Sequence, residues 1–266
     1  QRWPRVQAAA IASARDIDAR LAGRTSRLVD WSAGAETVTA EAVRAVLGQD
    51  SASLGDDEAL ERALSPAINR YRLDPLDLAP YSPLSRVAHH AHYTFLKKLS
   101  HTADSQDQRH RMTPASRPLL TLNHTPSPDV IVRPLIAANA EARAIFDDSV
   151  GAAWEAKERL LSLGVSEEDA IYVLPNATAL RFHESGSLIY LAHKWVMRTC
   201  LNAQEEIYRA SMDELEQVRA VHPRLARHMG PPCVLRRGRI TPTCTEGEHF
   251  CGIPVWRDFP NIVRRL

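Results

Sequence analysis

The feature that most constrains this fold is one helical pattern over residues 137–164, far longer than any strand. Within it Ile145, Val150 and Trp154 recur broadly on one side, and Gly164 follows the last turn. Hydrophobic residues make up 44% and charged residues 24% of the 266 residues, as in an ordinary globular protein that buries a sizeable core. The chain is therefore predicted to form a helix-rich domain.

Shorter patterns fill most of the remaining sequence. Helices are predicted over 5–23, 35–48, 57–71 with an interruption near Pro66, 167–174, 184–198 and 203–221. Strands are predicted over 26–31 and 90–100. Ser166 is expected to cap one helix, and Asn202, with Glu205 three residues later, is expected to cap the last. Because helices outnumber strands, an α+β fold is favoured.

Charge and hydropathy exclude some classes of partner. The net charge is +1, so no overall field attracts nucleic acid or a membrane surface. The most apolar segment, 188–197, is interrupted by His193 and Lys194 and is too short to span a membrane. The start of the chain lacks the pattern of a secretory signal, and four cysteines in a chain this long do not indicate a disulfide framework. We expect a reduced, cytoplasmic protein without a nucleic-acid or membrane partner.

The segment 105–118, SQDQRHRMTPASRP, is hard to explain as packing because no apolar period runs through it. Arg109 and Arg111 flank His110, and Arg117 follows six residues later. The planar guanidinium matches pairs of phosphate oxygens, so the segment is a candidate phosphate-binding loop. A solvated basic loop is the alternative, although the two prolines favour an ordered, functional loop.

A second candidate is the turn that begins at Arg198, within the segment MRTCLNAQEEI. A turn between two helices can present a side chain into a cleft. The alternative is an ordinary helix connection in which Arg198 interacts favourably with the C-terminus of its own helix.

Three histidines, His89, His90 and His92, follow Arg86 closely. On a strand, His90 and His92 would share one face. No carboxylate or cysteine lies nearby in the sequence to complete a metal site. We therefore expect a structural or cofactor-contacting role rather than a metal site.

The cysteines near the C-terminus are candidates for a zinc site. The candidate ligands are Cys233, Cys244 and Cys251, with His228 or His249 as a fourth. Their spacing is not that of a standard zinc knuckle, isolated buried thiols are the alternative, and we assign no metal ligand. Cys200 has no histidine at a motif spacing that would activate it as a nucleophile.

Several motifs in order resemble one known family. QDQRHRMTPASRP resembles the Arg-His-Arg signature of the flavin-dependent thymidylate synthases. RLVDW with the following helix, SPLSRVAHHAHYTF, AIYVLP and MRTCLNAQEEI resemble other blocks of that family. Their order and spacing agree with the family over about residues 25–210.

The resemblance implies an architecture. It predicts the family's helix-rich α+β fold with a small, mostly antiparallel sheet over residues 25–225. Residues 1–24 would form a leading helix, and 226–266 a Cys- and Arg-rich C-terminal extension. The family is typically a homotetramer with its sites at subunit interfaces.

The resemblance also implies a reaction. The family methylates C5 of a uridylate nucleotide, and methylenetetrahydrofolate supplies the carbon unit. NADPH reduces FAD, and reduced FAD supplies the hydride. No protein nucleophile is required, which agrees with the absence of an activated cysteine motif.

On the cofactor side, the resemblance assigns roles to five residues. Arg109, His110 and Arg111 would contact FAD, with Arg109 near the nucleotide as well. Arg86 would approach the FAD phosphates, and His193 would lie at the flavin.

On the nucleotide side, Gln106 would lie near the phosphate of the substrate. Arg198 would hold the uracil and stabilise the negative charge that develops on its ring, which makes it the predicted catalytic residue. Ser116 and Arg117 would replace the family's phosphate contacts through a shortened loop.

The chain departs from the family on the nucleotide side. The signature lacks the Asn-Glu pair and the Arg-Tyr ending that follow Arg-His-Arg in the family, and Ile171 stands where the family usually has an arginine. A pocket that does not actively exclude the 2′-hydroxyl discriminates weakly, by about a hundredfold or less. We therefore predict a divergent branch that accepts UMP as well as, or instead of, dUMP, as in nucleoside-antibiotic pathways.

The competing hypothesis is a non-catalytic flavin- or nucleotide-binding relative that acts as a subunit of a larger assembly. Loss of the Asn-Glu pair favours it, whereas retention of Arg109, His110, Arg111 and Arg198 opposes it. RNA binding through the arginine-rich stretches has little support, because the net charge is near zero and the tail lacks interleaved aromatic residues.

Overall fold

The computed structural model describes residues 3–69, 74, 76, 77 and 79–264. Its helices are α1 (Trp3–Leu21), α2 (Ala35–Leu47), α3 (Asp56–Leu64), α4 (Pro83–Arg86), α5 (His101–Asp107), α6 (Leu120–Asn123), α7 (Pro134–Ala137), α8 (Ala140–Ser162), α9 (Glu167–Ala170), α10 (Leu188–Arg198), α11 (Glu205–Val221), α12 (Pro223–Ala226), α13 (Pro232–Arg236) and α14 (Val255–Asp258). The strands are β1 (Ser26–Trp31), β2 (His92–Ser100), β3 (Ala115–Ser116) and β4 (Ala179–Ser187). The predicted α+β class is confirmed.

The four strands form one antiparallel sheet in the order β1-β2-β4-β3. β2 and β4 pair over nine residues, from His92 opposite Ser187 to Ser100 opposite Ala179. β3 adds only two residues at the edge. The short edge strand carries the segment that follows the Arg-His-Arg motif, so the sheet holds that motif close to α10.

The main core lies between the sheet and the helices α2, α3, α10 and α11. Tyr93 and Phe95 of β2 are fully buried and pack edge-on against Trp195 of α10, with ring centroids 6.5 Å apart. Aromatic side chains bury large apolar areas, so this contact fixes α10 firmly on the sheet. The last residue of α10 is Arg198, whose position is thereby set.

Several predicted elements are confirmed. β1 spans the predicted residues 26–31, and α2 ends before Gly48, which adopts a left-handed conformation with φ of 64°. Ser166 caps α9 by accepting a hydrogen bond from the Asp169 amide. The helix predicted over 57–71 ends at its predicted interruption near Pro66: α3 stops at Leu64, residues 65–69 are not helical, and residues 70–71 lie outside the described part.

The long predicted helix is divided. α7 ends at Ala137, and Asn139 caps α8 by accepting a hydrogen bond from the Ala142 amide. Val150 and Trp154 are buried as predicted, but the Ile145 side chain is 61% exposed. The apolar side of α8 is therefore buried in the middle of the helix and exposed at Ile145.

The prediction of a helix over 184–198 is wrong in its first four residues. Residues 184–187 complete β4, and α10 begins at Leu188. The strand was missed because its inward positions include Glu184 and Gly186 beside Leu180 and Phe182, and this mixture hides the alternation of a strand.

The prediction that Asn202 caps the next helix is also wrong. Gln204 is the cap, since its Oε1 atom accepts a hydrogen bond from the Ile207 amide at 3.0 Å. The Asn202 amide donates instead to Glu246 Oε2 at 3.2 Å and to the His249 carbonyl at 2.7 Å. Because Asn202 bonds to these distant partners, it does not cap the helix as its local sequence pattern predicts.

The expectation that His90 and His92 share one strand face is wrong as well. His90 lies before the strand, at the end of a 3₁₀ turn over Val87–His89, and β2 begins at His92. His89 donates to or accepts from Ser187 Oγ at 3.0 Å, so it ties this turn to the end of β4.

The tail after α12 packs on the start of α11. Leu201, Ala203, Tyr208 and Val255 form a small buried cluster.

Among the described residues no helix has the length and hydropathy to cross a membrane.

Candidate functional site

The Arg-His-Arg motif lies in a tight turn between α5 and β3. The His110 amide donates to the Asp107 carbonyl at 3.0 Å, and the Thr113 amide donates to the His110 carbonyl at 3.0 Å. Beyond the turn, the Ser185 amide donates to the Pro114 carbonyl at 3.0 Å, which ties the chain to β4. The motif is thus ordered by backbone bonds at several positions.

Arg198 reaches back to this turn from the end of α10. Its Nε donates to His110 Nε2 at 2.9 Å. Its two terminal nitrogens donate to Gln106 Oε1 at 3.3 Å and to the Gln106 carbonyl at 3.2 Å. The structure therefore brings together three predicted site residues that are up to 92 positions apart.

The electrostatics of this contact keep His110 neutral. Burial, followed by the positive charges of Arg198 and Lys194, lowers the pKa of His110 to about 3. Nε2 is consequently a hydrogen-bond acceptor for Arg198, and the ring proton lies on Nδ1. Burial also lowers the pKa of Arg198, yet a guanidinium stays charged at neutral pH.

His193 joins the same site from the previous turn of α10. Its ring centroid lies 6.0 Å from that of His110, with an interplanar angle of 69°. Partial burial and the charge of Arg198 lower its pKa, so it too is neutral at pH 7. Two neutral imidazoles therefore stand beside one fixed guanidinium.

The remaining basic residues predicted for the cofactor lie on the surface. Arg109 and Arg111 are exposed on the turn, and Arg86 is exposed at the end of α4. The charge of Arg109 is close enough to contribute to the lowered pKa of Arg198. Ser116, predicted for the substrate, is exposed on β3 opposite His183.

Arg117 has a partner inside the chain. Its Nε donates to both carboxylate oxygens of Asp104, at 2.8 and 2.9 Å, and its guanidinium stacks over the Phe182 ring at 5.2 Å. Its NH2 nitrogen is buried and has no hydrogen-bond partner among the described residues. Arg117 therefore has a fixed orientation, and its predicted role at the nucleotide phosphate stays a prediction.

A buried ionic network beneath the turn was missed by sequence reasoning. It consists of five fully buried side chains: Lys97, Lys194, Asp107, Glu184 and Glu214. Alternation within β2 and β4 could have shown that Lys97 and Glu184 point inward with apolar neighbours. Without knowledge of their partners, such charged positions are read as exposed.

A cavity of about 800 Å³ lies beyond the other end of α5. Its walls include Ile17 of α1, His101, Leu120, Ile171 and Arg181. Ile171 thus faces a space large enough for a small molecule. None of the site residues predicted from the signature lines this cavity.

All four cysteines gather around a different, much smaller cavity. Cys200 joins Cys233, Cys244 and Cys251 there, so the fourth neighbour is a cysteine rather than His228 or His249. Within the described ranges no three histidine, cysteine or acidic side chains are arranged to hold a metal ion. Burial raises the pKa of Cys200, which is the opposite of activation for nucleophilic attack.

Comparison with known proteins identifies the family of the chain. The family model described as thymidylate synthase complementing protein matches residues 27–224. The chain is 34% identical over 157 residues to a flavin-dependent thymidylate synthase of Sulfurisphaera tokodaii, a match that covers 58% of this chain and 60% of that protein. It is 30% identical over 205 residues to a protein of the same name from Geobacter sulfurreducens, covering 76% and 84%.

Proposed function

Because the chain belongs to the flavin-dependent thymidylate synthase family, we propose that it is an enzyme that methylates C5 of UMP, dUMP or both. The family predicted from the signature is confirmed. FAD, NADPH and methylenetetrahydrofolate are the proposed cofactors, and the family's own fold, homotetrameric state and cytoplasmic location are proposed with them. The exposed position of Arg109, Arg111 and Ser116 would allow a second subunit to complete the site.

The observation that carries the proposal is the fixed guanidinium of Arg198. Three of its five N–H groups are used by His110 and Gln106, which leaves two to bind a substrate. Holding the uracil through these two groups would place a permanent positive charge beside the pyrimidine ring. A charge held in place before the reaction stabilises the negative charge that develops on the ring without reorganisation at the moment of reaction.

The residues present fit a flavin dinucleotide. Arg86, Arg109 and Arg111 offer exposed guanidiniums to its diphosphate, and His110 and His193 offer neutral rings to its polar edges. When bound and reduced, the flavin supplies hydride chemistry that side chains cannot perform. The role of this chain is to bind the nucleotide, orient it and keep His110 unprotonated as the acceptor for Arg198.

The nucleotide side supports a relaxed substrate choice. Gln106, Ser116 and Arg117 are the proposed phosphate contacts, but Arg117 already binds Asp104 and Ile171 offers no charge. Weaker phosphate binding and a site that does not exclude the 2′-hydroxyl would let UMP compete with dUMP.

The test is tritium release from C5-tritiated dUMP and UMP, run in parallel with FAD, NADPH and methylenetetrahydrofolate. We expect release from at least one nucleotide, and the ratio of rates assigns the substrate. Release from neither nucleotide, with flavin still bound, would support the non-catalytic alternative. A purified protein that binds neither flavin nor nucleotide would reject both.

A further inference from the structure

The five side chains of the buried network form continuous ion pairs. Lys97 Nζ lies 2.7 Å from Asp107 Oδ2, 2.8 Å from Glu184 Oε2 and 3.2 Å from Glu214 Oε1. Lys194 Nζ pairs with Glu184 and lies 3.0 Å from Glu214 Oε2. Three carboxylates thus share two ammonium groups in the interior.

Because burying charged groups is costly, this network is weak evidence for a purely stabilising role. Removing two ammonium groups and three carboxylates from water is costly, and well-packed apolar residues of similar volume are often at least as stable. In some proteins, buried charged groups are retained because they fix the position of one particular segment of the chain. The question is which part of the chain it positions.

The network contacts the Arg-His-Arg turn at both ends. Asp107 is the last residue of α5, two positions before Arg109, and it pairs with Lys97. Thr113 lies two positions after Arg111, and the single proton of its hydroxyl faces two acceptors, Glu184 Oε1 at 2.8 Å and the His110 carbonyl at 2.9 Å. The functional turn is therefore held between two side chains of the same network.

The site is also reached from α10. Lys194 directly follows His193, and Trp195 donates from its Nε1 atom to Glu214 Oε2 at 2.8 Å. Thr113 packs closely on β4 as well, because a Cβ atom added at Gly186 would lie 3.0 Å from its Cγ2 atom. Sheet, turn and α10 thus share one set of buried charges.

We propose that Asp107 and Thr113 are positioning residues that hold the Arg-His-Arg turn in its binding geometry through Lys97 and Glu184. The consequence for flavin and nucleotide binding rests on the proposed function. The ordering of the turn itself does not, and it can be measured without any ligand.

The chain offers a matched pair of variants. Thr113→Val keeps the shape of the side chain and removes the hydroxyl that contacts Glu184 and the His110 carbonyl, whereas Asp107→Asn changes the network without touching that carbonyl contact. Ser26→Ala removes another fully buried hydroxyl, which lies 3.2 Å from Glu214 Oε1 on the side of β1. Both variants delete one hydroxyl from the same network, but only Thr113 lies on the turn.

The first readout is limited trypsin digestion of the full chain, with cleavage after Arg109 and Arg111 followed by mass spectrometry. We expect Thr113→Val to be cleaved there roughly tenfold faster than wild type, and Ser26→Ala to stay within about twofold, because one lost hydrogen bond to a charged group shifts a local equilibrium by about that much. Thr113→Ser restores the hydroxyl and should restore slow cleavage. Equal cleavage of Thr113→Val and Ser26→Ala, or no rescue by serine, would overturn the proposal.

The second readout is the dissociation constant of FAD, measured by flavin fluorescence. We expect it to rise about tenfold in Thr113→Val and in the isosteric Asp107→Asn, and to stay near the wild-type value in Ser26→Ala. If wild type binds no FAD, the proposed function fails, while the digestion result still decides the positioning role. A wild type that binds FAD, with unchanged affinity in both turn variants, would contradict the positioning role alone.

Discussion

The Nε atom of Arg198 donates to Nε2 of His110 at 2.9 Å, across 88 positions of the sequence. This bond requires an imidazole without a proton on Nε2. The same guanidinium is one cause of the low pKa of His110, so Arg198 helps to keep His110 neutral, and neutral His110 accepts the bond that orients Arg198.

We predict that Arg198→Lys lowers the rate of methylation by about 10²- to 10³-fold, because lysine lacks the planar fork that binds His110 and Gln106 together. Tritium release from the better nucleotide measures it. Arg209→Lys is the control, since Arg209 is an exposed residue of α11 paired with Glu205. An unchanged rate in Arg198→Lys would contradict the assigned role.

The lowered pKa of His110 should make the free energy of unfolding depend on pH. Its pKa is lowered to about 3 in the folded chain, whereas an unfolded histidine has its ordinary value near 6.5. The unfolded state therefore takes up the proton first, and stability present above about pH 6.5 is lost as the pH falls toward 3. In urea unfolding at pH 7.5 and 5, His110→Gln should lose less stability than wild type, and an equal loss would refute the prediction.

Ile171 should limit nucleotide binding. It faces the 800 Å³ cavity, and the resemblance predicts an arginine at this position in the family, so Ile171→Arg should lower the KM for nucleotide, by roughly tenfold for one new charged contact. Leu163, which is 72% exposed and does not line this cavity, provides the control Leu163→Arg with the same added charge. A similar change in both variants would show a general charge effect and not a phosphate contact.

The thiol of Cys233 should react slowly. Burial and the three other cysteines raise its pKa to about 11, and only the thiolate is alkylated. Iodoacetamide labelling at pH 8, read by mass spectrometry, should be much slower at Cys233 in the folded than in the urea-unfolded protein. A chelator should leave the folded rate unchanged. An increase on chelation would instead support the zinc hypothesis for these cysteines.

Local sequence determined the parts of this protein that depend on local physics. The strand of β1, the left-handed Gly48 that ends α2 and the Ser166 cap follow from residues within a few positions of one another. The motifs also sufficed to identify the family, because signature residues must stand at set spacings.

Tertiary structure alone decided the buried network and the contacts around the site. Lys97 and Glu184 are inward and charged only because partners from α5, α10 and α11 neutralise them, and no local pattern names those partners. For the same reason Asn202 donates to a distant carboxylate and a distant carbonyl and does not cap the helix as expected. Arg198 likewise bonds to His110 across 88 positions of the sequence. Sequence sets what a short segment can do by itself, whereas the partner that satisfies a buried polar group is chosen when the whole chain folds.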